Sequence, residues 1–441
     1  LRCSLKINDM TVQKLPENTW SLCPVCLRKI RAERVHLGQK IILRKNCPEH
    51  GMYETTIWSG FQDMSEWIGT KEKPFEGVPP CPESCGLCGD HLRSTCCIIY
   101  NVTNRCNLNC SFCLAGDTIE HETSLEEICK SFFSFIEKGK TLLQLSGGEP
   151  TLRDDLPQIV QAAREAGARY VQLNSNGIRL GEDPAFVRSL AEAGLSFVFM
   201  QFDGTNDDIY NSIRGKKLLK IKQQAIENCA VCNIGVTLVP TLVRGINIGD
   251  IGNILRFAIA QSPKVRGVHF QPATYTGRIP STPTASDRFT LDELIHEIQH
   301  QTEGTICADH LLPSACDHPL CGFHGDFIVN NNQIVSLLNR KNTNTASCCN
   351  DDASGKNREF VGRRWERPDP NKYESSCCSN NLSDMESFLK AARINGFTIT
   401  AMAFQDAGNI DLARLRQCSL HVYDNGRTVP FCAYYLTAWK N

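Results

Sequence analysis

Cysteine spacing is the first sign of chemistry in this chain. Cys106-Asn-Leu-Asn-Cys110-Ser-Phe-Cys113 is a C-x3-C-x2-C run. Three thiolates so spaced can hold three corners of a [4Fe-4S] cube, whereas a fully ligated four-iron cluster takes four cysteines. The remaining iron is then open to a small molecule. A zinc site with a distant fourth ligand is the competing reading. A second run of this form, Cys81-Pro-Glu-Ser-Cys85-Gly-Leu-Cys88, follows no strand pattern, and no Gly-Gly-Glu turn follows it at a matching distance. It reads as an auxiliary cluster whose fourth ligand is open, with Cys96 and Cys97 nearby; Cys97 fits better as a buried barrel thiol. Cys23-Pro-Val-Cys26 and Cys47-Pro-Glu-His50 have the form of a single-metal site, rubredoxin-like iron or zinc. His50 or a later cysteine would be its fourth ligand. Cys316, Cys321, Cys418 and Cys432 can form a second auxiliary cluster. Cys129 and Cys229 fall in helical patterns and read as core. The pairs Cys348-Cys349 and Cys377-Cys378, and Cys3, Cys232 and Cys307, have no readable role.

There are 24 cysteines in 441 residues. A disulfide framework is the alternative to metal, but such frameworks belong to short secreted chains. The N-terminus lacks a signal-peptide layout, and no stretch approaches the roughly 20 apolar residues of a spanning helix. The reading is a cytoplasmic protein, membrane-associated only if its substrate is a lipid. Lys+Arg number 47 and Asp+Glu 48, so no global field draws nucleic acid. A local basic patch is conceivable around Arg363, Arg364 and Arg367.

These residues must be positioned by the elements between them. Composition divides the chain into a Cys-rich region 1–90, a regular region 91–300 and a Cys-rich, loop-heavy region 301–441. In the middle, apolar runs at 97–103, 142–146, 170–174, 197–202, 235–240 and 267–271 predict strands. Amphipathic segments at 124–136, 155–165, 184–192, 217–229, 248–260 and 291–301 predict helices. The first opens with Ser124-x-x-Glu127, a capping pattern. Gly167 and Gly194 stand where two others end. Six strand–helix units in series mean a parallel sheet, with the active site at the strands' C-terminal ends.

The chemically distinctive residues stand at those ends. The first strand runs into the Cys106–Cys113 motif, with Phe112 just before its last cysteine. Ser146-Gly147-Gly148-Glu149-Pro150 follows the second; glycines admit close backbone approach and Glu149 can accept from an ammonium. Asn174-Ser175-Asn176-Gly177 follows the third. Gln201-Phe-Asp203-Gly204, then Ile213-Arg214-Gly215, follow the fourth. In this order the motifs resemble those of the radical S-adenosylmethionine (SAM) superfamily. The resemblance implies a partial (β/α)6 TIM barrel, with SAM's amino and carboxylate groups on the open iron. Its methionine moiety would meet Gly147, Gly148 and Glu149. Its sulfonium and ribose would face Asn174, Ser175 and Asn176. Gln201, Asp203 and Arg214 would complete the site, with the Thr237 strand against adenine. One electron from the cluster would yield a 5′-deoxyadenosyl radical that takes hydrogen from the substrate.

The chain also resembles the tetraether lipid synthases and their relatives, some described as dihydropterin methylases. The motifs carrying this are Cys23–Cys26, Cys47–Gly51, Cys81–Cys88, Tyr100–Cys110, Phe270–Arg278, His318–Cys321 and Pro430–Tyr434. That resemblance implies three [4Fe-4S] clusters, a mononuclear iron, and coupling of sp3 carbons of lipid chains with peripheral membrane contact. It also implies a reductase, ferredoxin or flavodoxin as electron donor. The paired cysteines and the short tail depart from the pattern. The alternatives are a radical methylase acting on a pterin, other small molecule or peptide, and a non-catalytic zinc module.

Overall fold

A computed structural model describes residues 18–69, 77–116, 122–340, 353–368 and 390–439. Cys3, Cys348, Cys349, Cys377 and Cys378 lie outside the described residues, as does most of the polar stretch around 341–352.

The first unit is a four-stranded antiparallel meander: β1 (Asn18–Leu22), β2 (Lys29–Leu37), β3 (Lys40–Cys47) and β4 (Gly51–Trp58). Along β2, Ile30, Ala32 and Arg34 are buried while Arg31 and Glu33 face out, the period-2 pattern of a strand with one covered face. What covers it is polar. Arg34 donates to Asp411 at 2.7 Å, Thr19 to the same carboxylate at 2.8 Å, and buried Lys45 to the Ala407 carbonyl at 2.6 Å. Burial pulls the Lys45 ammonium down to about 7. Asp292 accepts from the backbone N–H groups of Ser59, Gly60 and Phe61, tying the meander's exit to the helix Leu291–Gln301.

The main sheet holds the expected strand–helix series: β5 (Cys97–Thr103), β6 (Leu142–Gly147), β7 (Tyr170–Ser175), β8 (Phe197–Gln201) and β9 (Gly235–Val239). After the two-residue β10 (Thr241–Leu242), β11 (Val265–Pro272) completes the six. Each pairs parallel with the next. Helices Pro184–Glu192 and Leu291–Gln301 lie as expected, and Ser124 and Glu127 close a reciprocal capping box on Leu125–Phe135. Cys229 is fully buried on Leu219–Val231, but Cys129 is only half-buried, because Ile128 and Phe132 take the inward positions on its helix.

The C-terminal third joins the same sheet. Its strands are β12 (Leu312–Pro313), β13 (Gly322–Asn330), β14 (Gln333–Ser336), β15 (Gly396–Met402), β16 (Leu420–Asp424) and β17 (Arg427–Pro430). β15 adds parallel to β11 and β16 parallel to β5, so the barrel wall grows at both edges. Antiparallel β13 and β17 lie outside them. Helix Ala353–Trp365 packs on β9, β11 and β15. Its Trp365 donates to the Thr398 hydroxyl at 2.9 Å and meets the rings of Phe197, Phe199 and His269. The suspected basic patch is tied up locally: Arg364 pairs with Asp326 at 2.6 Å and Arg367 donates to the Ala230 carbonyl.

Candidate active site

At the C-terminal ends of the strands, the Cys106–Cys113 loop is fixed from three sides. Cys113 exchanges backbone hydrogen bonds with Arg278 at 2.9 and 3.0 Å, and Ser111 N–H donates to the Ile213 carbonyl. The Asn176 amide donates to Asn107 Oδ1 at 2.7 Å. The double glycine after β6 has a steric reason. A Cβ on Gly147 (φ 138°) would lie 2.0 Å from the Thr103 carbonyl oxygen, and one on Gly148 2.2 Å from that of Arg105. Gly148 and Glu149 N–H groups donate to those same two carbonyls. The turn is thereby sewn onto the start of the cysteine loop.

Glu149 is a buried hub. Oε1 accepts from Thr151 N–H and hydroxyl and from Ser175 Oγ at 2.8 Å; Oε2 accepts from Asn176 N–H at 2.6 Å. Burial pushes this carboxyl above its ordinary value, against those donors. Asp203 and Arg214 form a buried bidentate pair at 2.7 and 2.8 Å, and Arg214 also donates to Thr241 Oγ1 at 3.0 Å. With its amide turned, Gln201 accepts from the same guanidinium. Lys222, absent from the sequence reading, is fully buried and donates to the Asn176 and Gln201 carbonyls, each at 2.7 Å. Burial lowers its ammonium to about 8.

These groups border a cavity of about 330 Å³. Cys106, Cys110, Cys113, Phe112, Gly147, Gly148, Glu149, Asn174, Ser175, Asn176, Gln201 and Arg214 line it; Asp203 and Thr237 do not. Asp203 is buried in its pair with Arg214, and Thr237 is enclosed, its hydroxyl without a hydrogen-bond partner among the described residues. Thr241 and Gln271 line the cavity instead, together with Cys97, the thiol read as a barrel residue. Three thiols, a glycine turn without room for side chains, and polar groups on adjoining strands suit a three-cysteine cluster with a small polar cofactor beside it.

The outer cysteines divide. Cys23, Cys26, Cys47 and His50 bring their donor atoms within 4.8 Å of one another. His50 Nδ1 lies 3.5 Å from Cys47 Sγ and 3.7 Å from Cys23 Sγ. Among the described residues no other group of three or more is gathered so tightly. The Cys81 thiol accepts hydrogen bonds from the thiols of Cys85 and Cys88. Cys96 does not join them; its free thiol is hydrogen-bonded to that of Cys316, and both line the cavity. Cys321 accepts from Arg414 at 3.5 Å, Cys432 from Gln405 N–H at 3.3 Å, and Cys418 donates to the Leu420 carbonyl. Burial raises the Cys418 thiol, with Asp317, Cys432 and Cys321 adding to it.

The Radical SAM superfamily profile matches residues 100–258, the strands and turns just described. The chain belongs to that superfamily and is a radical SAM enzyme, which implies a [4Fe-4S] cluster and SAM. Along nearly its whole length it is similar to the 7,8-dihydro-6-hydroxymethylpterin dimethyltransferase of Methanocaldococcus jannaschii: 33% identical over 476 residues, covering 95% of this chain and 93% of the relative. Residues 15–59 match the HMPTM N-terminal zinc ribbon domain. The Fe-coproporphyrin III synthase of Methanosarcina barkeri is 34% identical over 188 residues, 41% of this chain and 45% of that protein. Streptococcus suis SuiB bound to S-adenosylmethionine is 14% identical, with a TM-score of 0.39 over 48% of each chain. Among the described residues no helix is long and apolar enough to cross a membrane.

The ribbon supplies a prediction. Purified protein will carry one tightly held zinc that Cys47→Ser removes, with a lower melting temperature, since structural metal sites contribute folding energy directly. Elemental analysis and calorimetry check this; unchanged zinc in the variant would contradict it.

Proposed function

We propose that this enzyme methylates a pterin-like heterocycle by radical SAM chemistry. The likeness to a pterin dimethyltransferase over almost the whole of both chains carries this reading. A bound [4Fe-4S] cluster and SAM would supply the radical reactivity. Cys106, Cys110 and Cys113 would hold the cluster. Gly147, Gly148, Glu149, Asn174, Ser175, Asn176 and Gln201 would orient SAM, with Phe112 beside the last cysteine. Arg214 and Lys222 keep that polar rim in place through Asp203, Gln201 and Asn176. Phe404, Phe431 and Tyr435 line the cavity and help exclude water. Cys81, Cys85 and Cys88, and separately Cys316, Cys321, Cys418 and Cys432, would hold auxiliary clusters for electron transfer.

The test is anaerobic: reconstituted enzyme, dithionite, methyl-labelled SAM and 6-hydroxymethyl-7,8-dihydropterin, followed by mass spectrometry. Labelled methyl in the pterin, with 5′-deoxyadenosine formed alongside, is the expected result. An unlabelled pterin, with coupled alkyl chains when lipid is supplied instead, would restore the lipid reading.

A further inference from the structure

The interior of a TIM barrel is ordinarily filled by layers of branched apolar side chains. Here the layer one step below the cofactor rim is polar at three of its four positions. Ser146, Asn174, Gln201 and Gln271 line the cavity at the strands' C-terminal ends; two residues earlier on the same strands stand Gln144, Gln172, Phe199 and His269. Two residues of strand are about 7 Å, a depth that a bicyclic ring spans.

The C-terminal strands complete this layer. Thr400 of β15 is in register with His269 of β11 on one side and with His324 of β13 on the other. The three form a row across three strands, and all three line the cavity. His269 Nδ1 is 2.8 Å from Thr400 Oγ1. Its other ring nitrogen makes no hydrogen bond among the described residues, and His324 makes none at all there; its ring meets that of Phe360 edge-on, with centroids 6.1 Å apart. On β6 and β7, the Gln144 and Gln172 amides bond to each other at 2.8 Å. Phe199, Phe360 and Trp365 supply flat apolar faces on the same cavity.

We propose that the His269–Thr400–His324 row recognises the hydrogen-bonding edge of a planar nitrogen heterocycle, held below the cofactor rim between these aromatic faces. The inference rests on the pterin reading above and says where and by what the ring is bound. Burial holds both imidazoles below their ordinary range, His269 at about 4, so each is neutral near pH 7. A neutral imidazole offers one donor and one acceptor. Two of them, one anchored through the Thr400 hydroxyl and the other in register beside it, match the alternating donors and acceptors of a fused pyrimidinone edge. An alkyl chain offers nothing to these nitrogens, and leaving them unpaired is unfavourable.

The test is binding of 6-hydroxymethyl-7,8-dihydropterin, followed by its fluorescence, to anaerobic holoenzyme and to His269→Leu and His324→Leu variants. Each imidazole removed is expected to weaken pterin binding roughly tenfold. SAM affinity and substrate-free SAM cleavage should stay at wild-type levels, which shows that the barrel and its rim are intact. His269→Gln, which keeps a polar group near the Nε2 position, is expected to recover part of the loss and serves if the leucine variant misfolds. Wild-type pterin affinity in both histidine variants would overturn the recognition row and leave the pterin reading standing. A wild-type enzyme with no pterin affinity would instead overturn the reading on which the row rests.

Discussion

Replacing Cys110 by alanine is expected to eliminate 5′-deoxyadenosine formation from SAM under reducing, anaerobic conditions. Cys110 is the buried member of its trio, and its thiol approaches the Arg214 guanidinium. Two remaining thiols on a loop cannot hold a cube that needs three. The fall should be about 10³-fold or more, as when a group on which the whole chemistry depends is removed. The same sample should lose about one cluster's iron and sulfide and keep the metal expected at Cys23, Cys26, Cys47 and His50, because those four donors stand at the turns and a strand end of the separate four-stranded sheet. Iron analysis and chromatography of the SAM products read both outcomes. Undiminished 5′-deoxyadenosine would remove Cys106, Cys110 and Cys113 from the chemistry.

The second large effect is expected at Arg214, on stability. Burial pulls its guanidinium down, but the Asp203 carboxylate in bidentate contact outweighs that and holds it above the ordinary arginine value. Arg214→Met would leave the buried Asp203 carboxylate with only the Thr241 N–H as a donor among the described residues. Breaking a buried pair from one side costs about 3–5 kcal/mol, which a denaturant midpoint resolves. Adding Asp203→Asn should recover much of that loss, since the uncompensated charge disappears. SAM affinity should fall in the single variant, because Gln201 accepts from the same guanidinium. A loss below about 1 kcal/mol, the range of exposed pairs, would show that the pair is not sealed from water.

The reach of sequence reasoning differs sharply between regions. In the barrel, each strand is a short apolar run and each helix an amphipathic one, so local pattern and final structure agree. The ribbon strands were missed. On β2 the inward positions are Ile30, Ala32 and Arg34, and the arginine breaks the alternation. It is buried only because Asp411, 377 residues away, neutralises it. Lys222 hides in the same way. In Leu219–Val231 it reads as a solvated lysine, yet it is enclosed between two strand ends whose carbonyls it binds.

Local spacing alone determined that a three-cysteine loop stands after the first of six parallel strands, with glycine and polar turns after the next, because each motif lies within a few residues of the element that presents it. Only the tertiary structure decided that Cys96 meets Cys316 rather than the nearer Cys81–Cys88 loop, and that His269, Thr400 and His324 share a row. Strand pairing in a sheet joins residues without regard to their separation along the chain, so contacts spanning 131 residues, as between His269 and Thr400, leave no local trace.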